Sequence, residues 1–192
     1  MTRQTELKSE QLLYLEDLQV GQRFVTGSHV ISENEIRAFA AQFDPQPFHL
    51  DDAAAKRSIF GGLAASGWHT AAITMRLLVE SGPRLAGGII GSHGYITWLQ
   101  PTRPGDVLTA ESEVLDVTPC LAKPGRGLVT LRSKTRNQRG EAVQIMSFKL
   151  LAKRRSASGI QDDSKGIRSA AWPTQAVAQL AATGSSCPQE ST

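Results

Sequence analysis

Residues 64–81 read AASGWHTAAITMRLLVES, and the fold turns on this stretch. It has helical length, and apolar or small residues occupy most of its circumference. A helix that is apolar nearly all round belongs in an interior. Gly61 and Gly62 release the chain into it, and Gly82-Pro83 ends it. Upstream, residues 22–31 (QRFVTGSHVI) suit a strand. Ser32 and Glu35 then form an S-x-x-E capping box, in which each side chain satisfies a backbone N–H at the helix start. Ile36, Phe39, Ala40 and Phe43 follow at the spacing of an amphipathic helix. Pro45 and Pro47 stop that helix. Residues 44–62 (DPQPFHLDDAAAKRSIFGG) are irregular, with room for a short helix at 51–57 opened by Asp51 or Asp52.

Downstream the pattern changes to strands, at 88–98, 106–117, 127–137 and 142–152. In the third of these, Val129, Leu131, Ser133 and Thr135 alternate with Arg132, Lys134 and Arg136, which implies one buried and one wet face. Asn137-Gln138-Arg139-Gly140 makes a hairpin turn, and Pro101, Pro104, Gly105 and Asp106 make another. One strand, two or three helices and then four strands predict an α+β layer fold. An antiparallel sheet of about five strands wraps the helix at 64–81, because nothing else in the chain can cover it. A single sheet around one helix leaves open edges through which copies can pair, so a homodimer or higher homo-oligomer is expected.

The 192 residues fit one ordinary domain with extra sequence. Residues 12–153 form the expected domain. Residues 1–11 read as a flexible N-terminus and residues 154–192, rich in Ser, Ala, Gly, Gln and Thr, as a disordered tail. The formal charge of +3 is small, and no dense Lys/Arg stripe with interleaved aromatics is present, which argues against nucleic acid as a partner. Cys120 and Cys187 make neither a disulfide framework nor a metal signature. The first residues, MTRQTELKSEQ, lack the apolar stretch of a leader, and no run approaches the roughly 18 apolar residues of a spanning helix. A cytoplasmic protein with no membrane partner is the expectation.

One segment can carry chemistry. Phe43-Asp44-Pro45-Gln46-Pro47-Phe48-His49-Leu50-Asp51 sets a carboxylate and an imidazole on a proline-stiffened, non-helical loop. Such a loop can aim Asp44 and His49 at one water, orient it and take its proton. The same residues also suit a plain turn with a satisfied loop histidine. A second segment, Phe60-Gly61-Gly62-Leu63-Ala64-Ala65-Ser66-Gly67-Trp68-His69-Thr70, opens the apolar helix. Its small residues admit a close ligand or backbone, and the first N–H groups of the helix have no intrahelical partner. Those groups and the helix dipole suit an oxygen that gains negative charge. Taken alone, the segment is better explained by tight packing of a central helix against the sheet.

Taken together, the two segments resemble the MaoC-like family, which includes the R-specific enoyl-CoA hydratases. The hydratase motif, roughly D-x-N-P-x-H, stands here as Asp44-Pro45-Gln46-Pro47-Phe48-His49. An A-H-G-like step into the central helix stands as Ala65-Ser66-Gly67. Trp98-Leu99-Gln100-Pro101-Thr102-Arg103-Pro104-Gly105-Asp106 is similar to the family's segment before a PGD turn. The resemblance covers about residues 14–152 and implies a hot-dog fold. It also implies a hydro-lyase acting on an acyl-CoA thioester, with Asp44 and His49 as the catalytic pair that activates water. Gly67 N–H, with its neighbour Ser66, would bind the thioester oxygen. It implies no metal and no redox cofactor, with coenzyme A entering as part of the substrate. Two positions depart from the pattern: Gln46, where hydratases commonly carry Asn, and Ser66, where they carry His.

Two other classes remain. A hot-dog thioesterase would bind acyl-CoA and cleave it, and an acid on the central helix near the pocket would favour that reading; none precedes Glu80. A non-catalytic acyl-CoA-binding protein has no need of the intact Asp44 and His49. His69 is expected as a packed core histidine, and Trp68 and Trp98 as core or pocket-wall residues.

Overall fold

The computed structural model describes residues 11–120 and 124–155. The chain divides into two units, Met1–Ala157 and Ser158–Thr192. The second unit lies outside the described residues, as do residues 1–10, so most of the two termini expected to be loose falls there.

A short 3₁₀ turn, Leu15–Asp17, precedes β1 (Arg23–Val30), α1 (Glu33–Phe43), α2 (Pro47–Leu50), α3 (Asp52–Arg57) and α4 (Gly67–Ser81). Four strands follow: β2 (Ile90–Trp98), β3 (Val107–Pro119), β4 (Arg126–Arg136) and β5 (Ala142–Lys153). All pairings are antiparallel, in the order β1-β3-β4-β5-β2, so β1 and β2 are the sheet's edges. The long helix α4 lies on the sheet against β1 and β3. This is a hot-dog fold. No helix among the described residues is long and apolar enough to cross a membrane.

Local chemistry sets most element ends. Ser32 Oγ accepts from Glu35 N–H at 3.2 Å, and the Glu35 carboxylate accepts from Ser32 N–H at 2.7 Å, the reciprocal cap expected of this sequence. Asp51 caps α3 by accepting from Ala54 N–H at 2.7 Å. The turn between β4 and β5 closes with Asn137 Oδ1 accepting from the N–H groups of Arg139 and Glu141.

Three features differ from the expectations. The central helix begins at Gly67, not at residue 64. Ala65 N–H bonds the Thr102 carbonyl at 2.9 Å, which holds the approach extended, and Ser66 Oγ then caps the helix by accepting from Trp68 N–H at 3.2 Å. Second, Pro47 does not merely end helical structure: it starts the single turn α2, in which His49 sits. Proline at a first helical position has no donor to lose and already holds the required φ. Third, the sheet covers only part of α4. His69, Thr70, Ile73, Thr74, Leu77 and Leu78 are buried, while Trp68, Met75 and Val79 form an exposed stripe, Val79 at 63%.

The buried face of the sheet is not purely apolar. Ile31, Ile36, Ala65, Ile73, Leu77, Leu108 and Val143 pack one cluster that joins α1 and α4 to the sheet. Hydroxyls and an amide are set close by. Thr74 Oγ1 lies 2.8 Å from Thr135 Oγ1 and accepts from Gln144 Nε2 at 3.1 Å, while donating to the Thr70 carbonyl. Thr70 Oγ1 donates to Thr102 Oγ1 at 3.0 Å. Buried polar groups cost stability unless paired; Thr74 pairs the helix to the sheet, and Thr70 pairs it to the turn between β2 and β3.

His69 is buried and stacks on Phe39 with ring centroids 4.5 Å apart. Burial pushes its imidazole below the ordinary histidine value; nearby Glu35 partly opposes this, and His29 adds to it. The folded state therefore prefers neutral His69, and the unfolded chain binds the proton more readily. Stability is full above the unfolded value of about 6.5 and is lost as pH falls from there through the lower folded value. Denaturant unfolding across this range should show that loss in the native chain, and His69→Phe should remove it.

Candidate active site at the start of the central helix

Asp44 ends α1, its N–H bonding the Ala40 carbonyl at 2.9 Å. The backbone then turns out of the helix, and Pro47 starts the α2 turn that carries His49. The imidazole is 3% exposed and is flanked by Phe48 and Phe60. His49 Nδ1 lies 2.8 Å from the Ala64 carbonyl oxygen. A carbonyl only accepts, so Nδ1 carries the proton and neutral His49 presents a bare lone pair at Nε2. That nitrogen is 3.4 Å from Asp44 Oδ2. The site thus sets two acceptors side by side, in reach of a single donor with two hydrogens.

The Asp44 carboxyl is held below its ordinary value. Burial acts against the charged form, but the Ser66 hydroxyl and the Gln46 amide favour it, and together with the charge that His49 carries when protonated they outweigh burial. The Gln46 contact is direct, Nε2 donating to Oδ1 at 2.7 Å. The longer amide at this departure from the family pattern therefore reaches the carboxylate. Ser66, the other departure, is 1% exposed and serves two neighbours: its oxygen caps α4 and its hydroxyl supports Asp44.

Gly67 takes the first helical position, so its N–H has no carbonyl to donate to within α4. The helix dipole adds partial positive charge there. The group that approaches Gly67 closely is the Trp98 indole, whose Nε1 donates to the Gly67 carbonyl at 2.9 Å. A Cβ at position 67 would come within 2.6 Å of that ring, so glycine is required by contact. Trp98 and Trp68 are not core residues: they meet edge to face at 5.3 Å, 43% and 59% exposed.

The structure brings Asp44, His49 and Ser66 into one cluster, with Gly67 next in the chain. Sequence reasoning missed the Ala64 carbonyl that orients His49. Any residue supplies a carbonyl, so no side chain could have signalled it.

A family model described as MaoC like domain matches residues 17–136, and the chain belongs to this family. A solved MaoC-like dehydratase from Rhodospirillum rubrum is 58% identical, with a TM-score of 0.74, covering 75% of this chain and 99% of that one. The YdeM protein of Bacillus subtilis is 35% identical over 73% of this chain and 99% of its own length. A 3-hydroxybutyryl-CoA dehydratase from Methylorubrum extorquens is 30% identical over 56% of this chain and 68% of its own length.

The support of Asp44 is directly testable. Removing a donor leaves burial less opposed, so Ser66→Ala and Gln46→Leu should each raise the Asp44 titration midpoint, read by carboxyl ¹³C chemical shift against pH. An unmoved midpoint in both would show that neither side chain supports the charge.

Proposed function

We propose that the protein is a carbon–oxygen lyase that adds water to a 2-enoyl-CoA or removes it from the 3-hydroxyacyl-CoA. The observation that carries this reading is the 3.4 Å juxtaposition of His49 Nε2 and Asp44 Oδ2 beside the first N–H of α4. A water that donates one hydrogen to each acceptor keeps its lone pairs free for carbon. As its oxygen bonds C3, one water proton passes to the Asp44–His49 pair, and the pair gives a proton to C2. Negative charge that develops on the thioester oxygen meets the Gly67 N–H and the positive end of the helix. The sum is H on C2 and OH on C3, with no change in the pair. Coenzyme A is the carrier of the acyl group, and the step as written uses no other cofactor. Membership of the MaoC-like family and the resemblance to a 3-hydroxybutyryl-CoA dehydratase support the substrate class.

Hydrolysis of the thioester is disfavoured by the placement of acids. Glu80 is exposed in the last turn of α4 and pairs with Arg76, a helix length from Ser66. Loss of the conjugated enoyl absorbance in a panel of 2-enoyl-CoA substrates tests the proposal. Asp44→Asn and His49→Gln should each lose about 100-fold or more while staying folded. Unchanged rates in both would overturn the mechanism, and thiol release without hydration would establish a thioesterase.

A homodimer is part of the same proposal. The exposed stripe of Trp68, Met75 and Val79 on α4 is apolar, and β2 presents an unpaired edge with Ile90 and Tyr95 exposed. Both are surfaces that a second copy would cover. Light scattering on a sizing column should report a dimer, and Val79→Glu should shift it toward monomer; a clean monomer for the native chain would refute the assembly.

A further inference from the structure

Arg103 belongs to the turn Pro101–Asp106, outside the motifs that carry the Asp44 and His49 pair. Its guanidinium gathers backbone carbonyls from the loop that leads into α4: Nη1 donates to Gly62 at 2.7 Å and to Leu63 at 3.0 Å, and Nη2 donates to Phe60. Its neighbour Thr102 holds the far side of the same loop, its carbonyl accepting from Ala65 N–H at 2.9 Å and its hydroxyl oxygen from Thr70 at 3.0 Å. Between these two anchors lies one residue, Ala64, fully buried, and its carbonyl is the one that takes His49 Nδ1 at 2.8 Å.

The turn that holds Arg103 is itself fixed. Buried Asp106 accepts from Arg103 N–H at 2.7 Å, and Gly105 N–H bonds the Ile31 carbonyl at 2.8 Å. Gly105 sits at φ +81°, a conformation that glycine adopts without strain. A guanidinium suits this task because its donors form a rigid planar fork that can reach several carbonyls at once; an ammonium is a point charge on a flexible stem.

We propose that Arg103 is a positioning residue for the hydration reaction, holding the 60–64 loop so that the Ala64 carbonyl fixes the ring and tautomer of His49. The inference rests on the reading of Asp44 and His49 given above. It assigns a role to the Thr102-Arg103 pair in the PGD segment, which otherwise reads as a strand-to-strand turn. Displacing the Ala64 carbonyl releases the Nδ1 proton to either nitrogen and lets the imidazole rotate away from Asp44. A misplacement of this kind, on the order of 1 Å, can cost about 100-fold in rate.

The test uses the full chain with Arg103→Met and Arg103→Lys. In ¹⁵N-histidine spectra of the unliganded protein, native His49 should show the Nδ1–H tautomer, and Arg103→Met should show a mixed or Nε2–H signature. With enoyl-CoA, kcat should fall about 100-fold with KM changed much less. Added ethylguanidinium should restore part of the rate to the Met variant. Arg103→Lys, with one cationic head for three carbonyls, should fall between. If Arg103→Met does not fold, the spectra and kinetics of Arg103→Lys decide the matter. A native tautomer signature together with native kcat in the folded variant would overturn the role. The spectra need no turnover, so a chain that hydrates nothing would defeat the functional reading while still reporting on Arg103.

Discussion

The hydrogen bond between His49 Nδ1 and the Ala64 carbonyl joins two segments that the chain reaches by separate routes. One route leaves α1 at Asp44 and turns through Pro47; the other crosses the Gly61-Gly62 loop toward α4. Without that bond the imidazole would have two competent tautomers, and only one leaves Nε2 bare beside Asp44. With it, the identity of the proton-accepting nitrogen is decided by the backbone. The burial of His49 reinforces this, with Phe48 and Phe60 packed beside the ring.

Asp44 answers an opposing demand. Burial by itself would favour a neutral acid, yet the ionised carboxylate is the stronger acceptor for a water proton. Two uncharged donors oppose burial, Ser66 from the helix start and Gln46 from the loop, and His49 adds to them when it is protonated. Neutral donors stabilise the anion without placing a permanent positive charge in the site. Ser66 also caps α4, so the support of the carboxylate and the definition of the helix terminus are one structural event.

Much of this was legible in the sequence. The Ser32/Glu35 cap, the alternation in β4 and the turn at Asn137 are local signals, and local physics sets them. The Asp44 and His49 spacing stood out, although a plain turn explained it better until the second segment was considered. What the sequence did not disclose was the outcome of competition between distant groups. The extended approach at Ala64 and Ala65 depends on Thr102, which lies across the fold, so the helix start at 67 has no purely local cause. The helical turn at Pro47 was hidden because proline blocks an incoming helix and opens a new one equally well. Trp68 and Trp98 read as core or pocket-wall residues, and the tertiary arrangement leaves both exposed, which rules out the core.

The threonines and glutamine under α4 have a consequence of their own. Leucines packed on a sheet tolerate small slips, because apolar contact has no preferred direction. Hydroxyls and amides do not, because a bond moved by a fraction of an ångström or turned away from its partner is lost. Thr70 and Thr74, facing Thr102, Thr135 and Gln144, therefore act as an index pin. They set both the rotation of the helix about its own axis and its travel along the sheet. The residues at its first turn inherit that alignment, so the geometry at the start of the helix is set partly by chemistry one and two turns further along.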